Sequence, residues 1–375
     1  MRNKSSVRLS ILILCSFILA ACAPAAQTTP AETGAATPSL EATGTQAPTS
    51  SPTYNRTLTV MTHDAFAVSE NVVTAFQNEN HVNVKFIKSG DAGTAVNKAI
   101  LSKDAPFADV FYGLDNTFLS RALDEGIFEP YDSPVLDQIP DKFKLDSQNR
   151  ALPVDYGDVC LNYEKAYFDQ NNLQPPQNLE DLSKPEYKGL LVVENPATSS
   201  PGLAFLLATI GHFGEDHYLD YWKSLVDNNV LVVNDWDSAY YTAFSLSGGS
   251  RPIVVSYASS PPAEVVFAQQ PINEPPTAAI TGDDSCFRQI EFVGILKGTK
   301  NRDLAEKWVD FMLSTTFQED IPLQMFVFPV NKNAKLPDVF VKFAAIPDQT
   351  AQVSPQAIAQ NRDKWIQQWT DAVLR

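Results

Sequence analysis

The chain has 375 residues, with 28 Lys and Arg against 44 Asp and Glu, a formal charge of −16 at neutral pH. A surface that acidic repels phosphate backbones and anionic lipid heads, which argues against a nucleic-acid role. An apolar content of 44% is too high for a disordered chain, and 16 Gly with 26 Pro exclude a collagen-like one.

At roughly 100–200 residues per domain, the length suggests about two domains. Arg2, Lys4 and Arg8 precede an apolar run over residues 9–21 that only Ser10 and Ser16 interrupt. A positive start followed by a run of this length reads as a secretory signal peptide, residues 1–21, too short to span a bilayer comfortably. Its removal leaves 25 basic residues against 44 acidic, or −19. No apolar run of about 20 residues follows, which excludes a channel or transporter. The boundary LAAC (19–22) resembles the lipobox of bacterial lipoproteins, which implies that Cys22 is lipidated and becomes the new N-terminus. Residues 22–56 hold the lipidated cysteine and a stretch of Ala, Thr, Pro, Ser and Gly with almost nothing to bury, a flexible tether.

Cys15 leaves with the signal and Cys22 takes lipid, so Cys160 and Cys286 remain. In an oxidising compartment such a pair most economically forms one disulfide. The rival is a two-thiolate metal site, for which His63, His81, His212 and His217 show no ligand spacing. No metal is expected.

In the body, residues 57–61 (TLTVM) and 82–87 (VNVKFI) carry strand signatures. Between them, 69–77 has Val72, Val73 and Phe76 at helical spacing behind a candidate cap, Ser69. Asp91 opens a second helix through 101, and 108–112 (ADVFY) is a third strand. This β-α-β-α-β order implies a parallel sheet with crossover helices. Further strands are expected at 189–194, 230–234, 252–256 and 290–296, with helices at 199–211 and 302–312. Ile358, Trp365, Ile366, Trp369 and Val373 form one stripe of a C-terminal helix. The body is α/β throughout, and ligands of open α/β sheets bind at the carboxyl ends of the strands.

No GxSxG, HExxH, GxxxxGK[ST] or GxGxxG occurs, and no histidine has an evident nucleophile partner. The segment NPATSSPGL (195–203) sets Ser199 or Ser200 at a helix cap with Pro201 in the first turn. Its hydroxyls and free amides suit a polar or anionic ligand, and equally a plain cap. Trp236 lies among polar residues after a strand, placed to stack on a flat ring or to pack. The loop at 257–261 (YASSP) is polar and aromatic, or an ordinary Ser/Pro turn. Asp64, Asp91, Asp115 and Asp155 follow strands or open turns, and four in similar positions lean towards a cationic ligand. Tyr240 and Tyr241 raise the alternative of phenolate ligands to ferric iron, or packing on a helix.

MTHDAF (61–66), ADVFYGLDN (108–116), PVDYG (153–157), NPATSSPGL (195–203), WDSAY (236–240), VSYASSP (255–261), FPVN (328–331) and KWIQQW (364–369) run in one order through the body. Together they strongly resemble thiamine-binding periplasmic proteins, the substrate-binding proteins of ABC importers. The resemblance implies a two-lobed type II periplasmic-binding-protein fold with the ligand cleft between lobes. Lobe 1 would comprise 57–156 and 286–375 with the C-terminal helix, and lobe 2 would be 157–285. Position by position it places ligand contacts at His63, Asp64, Asp91, Ala92, Ser199, Ser200, Trp236, Tyr257, Ala258, Ser259 and Ser260. The two serines would lie near the phosphate of thiamine monophosphate. His63 and Ala263 depart from the pattern, each standing where the family has a tyrosine. Cys160 and Cys286 have no counterparts and fall near the two crossovers between lobes, where a disulfide would stiffen the hinge.

The implied protein is a monomeric, lipid-anchored extracytoplasmic receptor that needs no cofactor and performs no catalysis. It would deliver thiamine, thiamine monophosphate or thiamine diphosphate to an ABC permease in the cell membrane. The alternatives are a ferric-iron or polyamine receptor on the same scaffold, a secreted hydrolase, and a purely structural surface protein.

Overall fold

A computed structural model describes residues 54–282 and 284–375. The signal peptide, Cys22 and all but the last residues of the tether lie outside the described residues.

Eleven strands form one sheet: β1 (Arg56–Thr62), β2 (Val82–Lys88), β3 (Val110–Asp115), β4 (Phe128–Glu129), β5 (Leu152–Glu164), β6 (Leu191–Glu194), β7 (Leu231–Val233), β8 (Ile253–Tyr257), β9 (Thr277–Ile280), β10 (Phe287–Leu296) and β11 (Phe328–Pro329). The main order is β2-β1-β3-β10-β5-β8-β6-β7. β1 pairs in parallel with β2 and β3, and β6 pairs in parallel with β7 and β8. The expected β-α-β units are therefore present at both ends of the order. Between them, β10 runs antiparallel to β3 and β5, and β5 runs antiparallel to β8. An all-parallel sheet is thus corrected to two parallel groups joined through an antiparallel pair.

β5 is the longest strand, and strand propensity hides it. It carries Pro153, Asp155, Gly157 and Asp158, residue types that strands avoid. Tertiary partners offset that preference. Asp158, fully buried, receives Arg288 from β10 through two bonds of 2.8 Å, and Asp155 accepts from the Tyr112 hydroxyl of β3 at 2.5 Å. Residues 152–159 of β5 pair with β10, whereas 159–163 pair with β8 and 161–164 with β9, so one strand serves both halves of the sheet.

The helices follow the apolar spacing. Pro355–Val373 buries Ile358, Trp365 and Trp369, and Ser354 caps it by accepting from the Ala357 amide at 3.1 Å. Trp369 meets Trp222 of the helix Tyr218–Asp227 edge-on at 5.4 Å, an orientation that aromatic quadrupoles favour. Ser69 precedes the helix Glu70–Asn80 but does not cap it through its side chain. Its amide and hydroxyl both donate to Asp320, at 2.8 and 2.5 Å.

Cys160 of β5 is bonded to Cys286, the residue before β10, closing a chain separation of 126 residues. Ala258 packs on this bridge, which is wholly buried. Replacing both cysteines by alanine should lower unfolding free energy by about 2–4 kcal/mol, because the unfolded chain regains loop entropy. Urea unfolding of the variant beside the native protein, with and without reductant, measures this. Only the native protein should respond to reductant.

Candidate functional site

The carboxyl ends of β1, β2, β6, β7 and β8 converge on one cavity of about 720 Å³, within the size range of small-molecule sites. His63, Asp64, Asp91, Ala92, Ser200, Trp236, Tyr257 and Ser260 line it. These loops bring together eight of the eleven residues expected at a ligand. The other three stand behind the wall. The Ser199 hydroxyl caps the helix Ser200–Phe213 through the Gly202 amide at 3.5 Å. Ala258 is packed against the disulfide, and the Ser259 hydroxyl donates to the Phe326 carbonyl at 2.7 Å.

Asp91 joins the two halves of the sheet. It caps the helix Ala92–Leu101, accepting from the Ala92 amide at 2.6 Å. From the far side it accepts the Trp236 amide at 3.2 Å and, weakly, the Ser200 amide at 3.5 Å. Burial pushes its carboxyl above the ordinary aspartate range, against the opposing pull of these bonds and of Ser199. The helix start that suited an anionic ligand is therefore occupied by the protein's own carboxylate. Gly93 permits this approach, since a Cβ there would stand 2.9 Å from the Thr198 carbonyl oxygen.

Trp236 opens a helical turn after β7 and donates its indole N–H to the Ser256 hydroxyl at 3.0 Å. Tyr240 stacks behind it at 5.0 Å and 20°, and Tyr241 meets it edge-on at 5.3 Å. The tyrosine pair occupies a π-helical turn, Ala239–Ala243. Tyr240 is buried and donates to Glu264 at 2.6 Å, and burial with that carboxylate pushes its phenol well up, away from phenolate. Tyr241 is exposed. The pair backs the tryptophan rather than presenting two phenolates side by side. Among the described residues no group of three or more His, Cys, Asp or Glu is arranged to hold a metal ion.

His63 lines the floor, and the space for its ring exists because Gly113 has no side chain. At φ +95° a Cβ there would stand 2.1 Å from the imidazole. Burial pulls the His63 pKa down, yet the Glu291 carboxylate, 3.6 Å from Nε2, outweighs it and the net direction is up. Burial likewise pushes Glu291 up, and His63 overrides it downward, so the two form an ion pair. Asp155, beside Glu291, is raised well above its ordinary value by burial and by that neighbouring charge. Tyr112 donates to both acids.

Residues missed in the sequence complete the site. Gln289 on β10 donates to Ser200 Oγ at 2.7 Å and accepts from the Tyr257 hydroxyl at 3.0 Å, linking loops from two strands. Glu291, Asp235 and Asp237 also face the cavity. An i, i+2 alternation of Gln289 and Glu291 within an apolar strand was the available signal. Asp155 is not at a strand end but inside β5, and Asp115, the last residue of β3, is buried beneath the cavity. In all, the lining has five acidic side chains, one histidine, and no lysine or arginine.

The family model described as bacterial extracellular solute-binding protein matches residues 105–353. The chain belongs to that family, and it has the two-lobed, type II periplasmic-binding-protein fold. The thiamine-binding periplasmic protein of Salmonella typhimurium is 30% identical over 325 residues, covering 85% of this chain and 94% of that protein. A solved periplasmic thiamin binding protein is 27% identical, with TM-score 0.75, over 86% of this chain and 100% of the other. A ferric binding protein from Campylobacter jejuni shares the fold at 20% identity and TM-score 0.67, over 84% and 99% of the two chains.

Burial pushes the Asp115 carboxyl up to about 7, against hydrogen bonds from Thr117. The folded state therefore holds this proton to higher pH than the unfolded chain does. Stability contributed by the neutral form is lost as pH rises from the ordinary aspartate value towards 7. Relative to Asp115→Asn, the native protein should lose on the order of 2–4 kcal/mol between pH 4.5 and 7.5. Urea unfolding of both at the two pH values checks it, and parallel pH profiles would refute the assignment.

Proposed function

We propose that the protein captures thiamine or a thiamine phosphate in this cleft and delivers it to an ABC permease. The observation that carries this reading is the combination of Trp236, backed by Tyr240, with a cavity lined by five acids and no lysine or arginine. A flat cationic ring is the ligand that gains from both. Its positive charge is attracted to the indole face, worth about 0.5–2 kcal/mol, and to the surrounding carboxylates. The named relatives support the same ligand class. Trp236 and Tyr257 hold the rings, Asp91 with Asp64 offsets the charge, and Ser200 and Ser260 bond the polar end. Lobes 57–156 with 286–375, and 157–285, close about β5 and β10, the closed form being favoured by contacts to both. Lipid on Cys22 and the tether keep the monomer at the outer face of the membrane. The protein binds and releases without catalysis, cofactor or metal.

Calorimetric titration of refolded, ligand-stripped protein tests the reading, with thiamine, its mono- and diphosphate, spermidine and ferric citrate in parallel. One thiamine form should bind at sub-micromolar level, about −8 kcal/mol or better. The ranking of the three reports whether Asp91 yields its amides to a phosphate. Tight binding of spermidine alone, or of iron with a phenolate colour, would replace the ligand and keep the scaffold. Trp236→Ala should weaken thiamine binding by about 1–3 kcal/mol, roughly one to two decades. An unchanged dissociation constant would remove Trp236 from the site.

A further inference from the structure

Ala263 offers the cavity only a methyl group. It lies in the helix Pro261–Val266, and the Phe267 amide still donates to the Ala263 carbonyl at 2.9 Å. Four residues apart in a helical turn, the two side chains share a face. Both line the cavity.

Phe267 is 67% exposed, and a single exposed phenylalanine carries no meaning by itself. Its neighbour supplies the meaning. The ring meets Phe326 edge-on, with centroids 5.4 Å apart and planes at 64°. Phe326 also lines the cavity, but it precedes β11, which pairs with the β10-facing part of β5, while Phe267 follows β8. The ring contact therefore joins the loop before β11 to the turn after β8. Phe326 stands at φ +55°, a left-handed conformation that a bulky residue keeps only when its surroundings hold it there. The Ser259 hydroxyl supplies such a hold by donating to the Phe326 carbonyl at 2.7 Å. A strained aromatic, tied to the loop after β8 and pressed on a second aromatic in the cavity wall, is a feature that packing alone does not require.

We propose that Phe267 is the second aromatic wall of the ligand cavity, set one helical turn beyond Ala263. Phe326, positioned by Ser259, fixes that wall. The shift of about 5.4 Å, one turn, leaves room beside Ala263 and makes Phe267 a determinant of which ring fits. The inference rests on the ring-ligand reading above and adds a residue to it.

The test is calorimetry with thiamine on the native protein, Phe267→Ala, Phe267→Tyr and the double variant Ala263→Tyr/Phe267→Ala, with thermal midpoints measured alongside. Because Phe267 is largely exposed, all four should keep similar midpoints. Phe267→Ala should bind about ten-fold more weakly, the size of one lost aromatic contact. Phe267→Tyr should retain native affinity, and the double variant should recover most of the loss by placing a ring at 263. Native binding by Phe267→Ala, a tyrosine variant as weak as the alanine one, or no recovery in the double variant would each overturn the proposal. If the native protein binds no thiamine form, the ligand reading fails and the wall falls with it. If the native protein binds and Phe267→Ala is unaffected, the wall alone fails.

Discussion

β5 and β10 run antiparallel through the middle of the sheet, with a parallel group of strands on either side. Both groups connect through this pair. The pair is correspondingly reinforced: Asp158 receives Arg288 through two charge-assisted bonds, and Cys160 is bonded to Cys286 at one end. Because the parallel groups present their carboxyl ends to the same space, the geometry of this pair also sets the width of the cavity. The loops that line it inherit their positions from strand register rather than from their own sequence.

Into that space the protein places more negative charge than a buried site tolerates without compensation. Desolvation disfavours the charged form of each acid, and the outcome depends on its partners. Glu291 is held low because His63 faces it, while burial and the Glu291 charge push Asp155 beside it well up. Asp91 keeps several donors from three segments and is still pushed upward by burial. Acids held in this state are costly alone and become favourable when a cation enters.

Trp236 is fixed by its N–H bond to Ser256 and by the stacked Tyr240, so little side-chain entropy remains to be lost on binding. Ser256 in turn contacts Ser260 at 3.0 Å, which links the tryptophan to the loop after β8. The stacking surface and the polar loop are thus one assembly.

Much was legible in the chain itself. Apolar alternation marked most of the strands, and the stripe ending in Trp365 and Trp369 marked the last helix, because periodicity is a local property. Loop chemistry at 195–203, 236–240 and 257–261, together with the resemblance it carries, pointed to eight residues that line the cavity. What the chain alone did not disclose were features decided by partners distant in sequence. β5 is a strand only because Tyr112 and Arg288 satisfy its aspartates, and Ser259 turns away from the cavity only because Phe326 offers a carbonyl. Gln289 and Glu291 read as part of an apolar strand until β3 and β8 bring polar partners to them. Local pattern determined which elements form and which loops are polar. Tertiary structure decided which charges survive and which side chains meet, since both depend on burial and on contacts between segments distant in sequence.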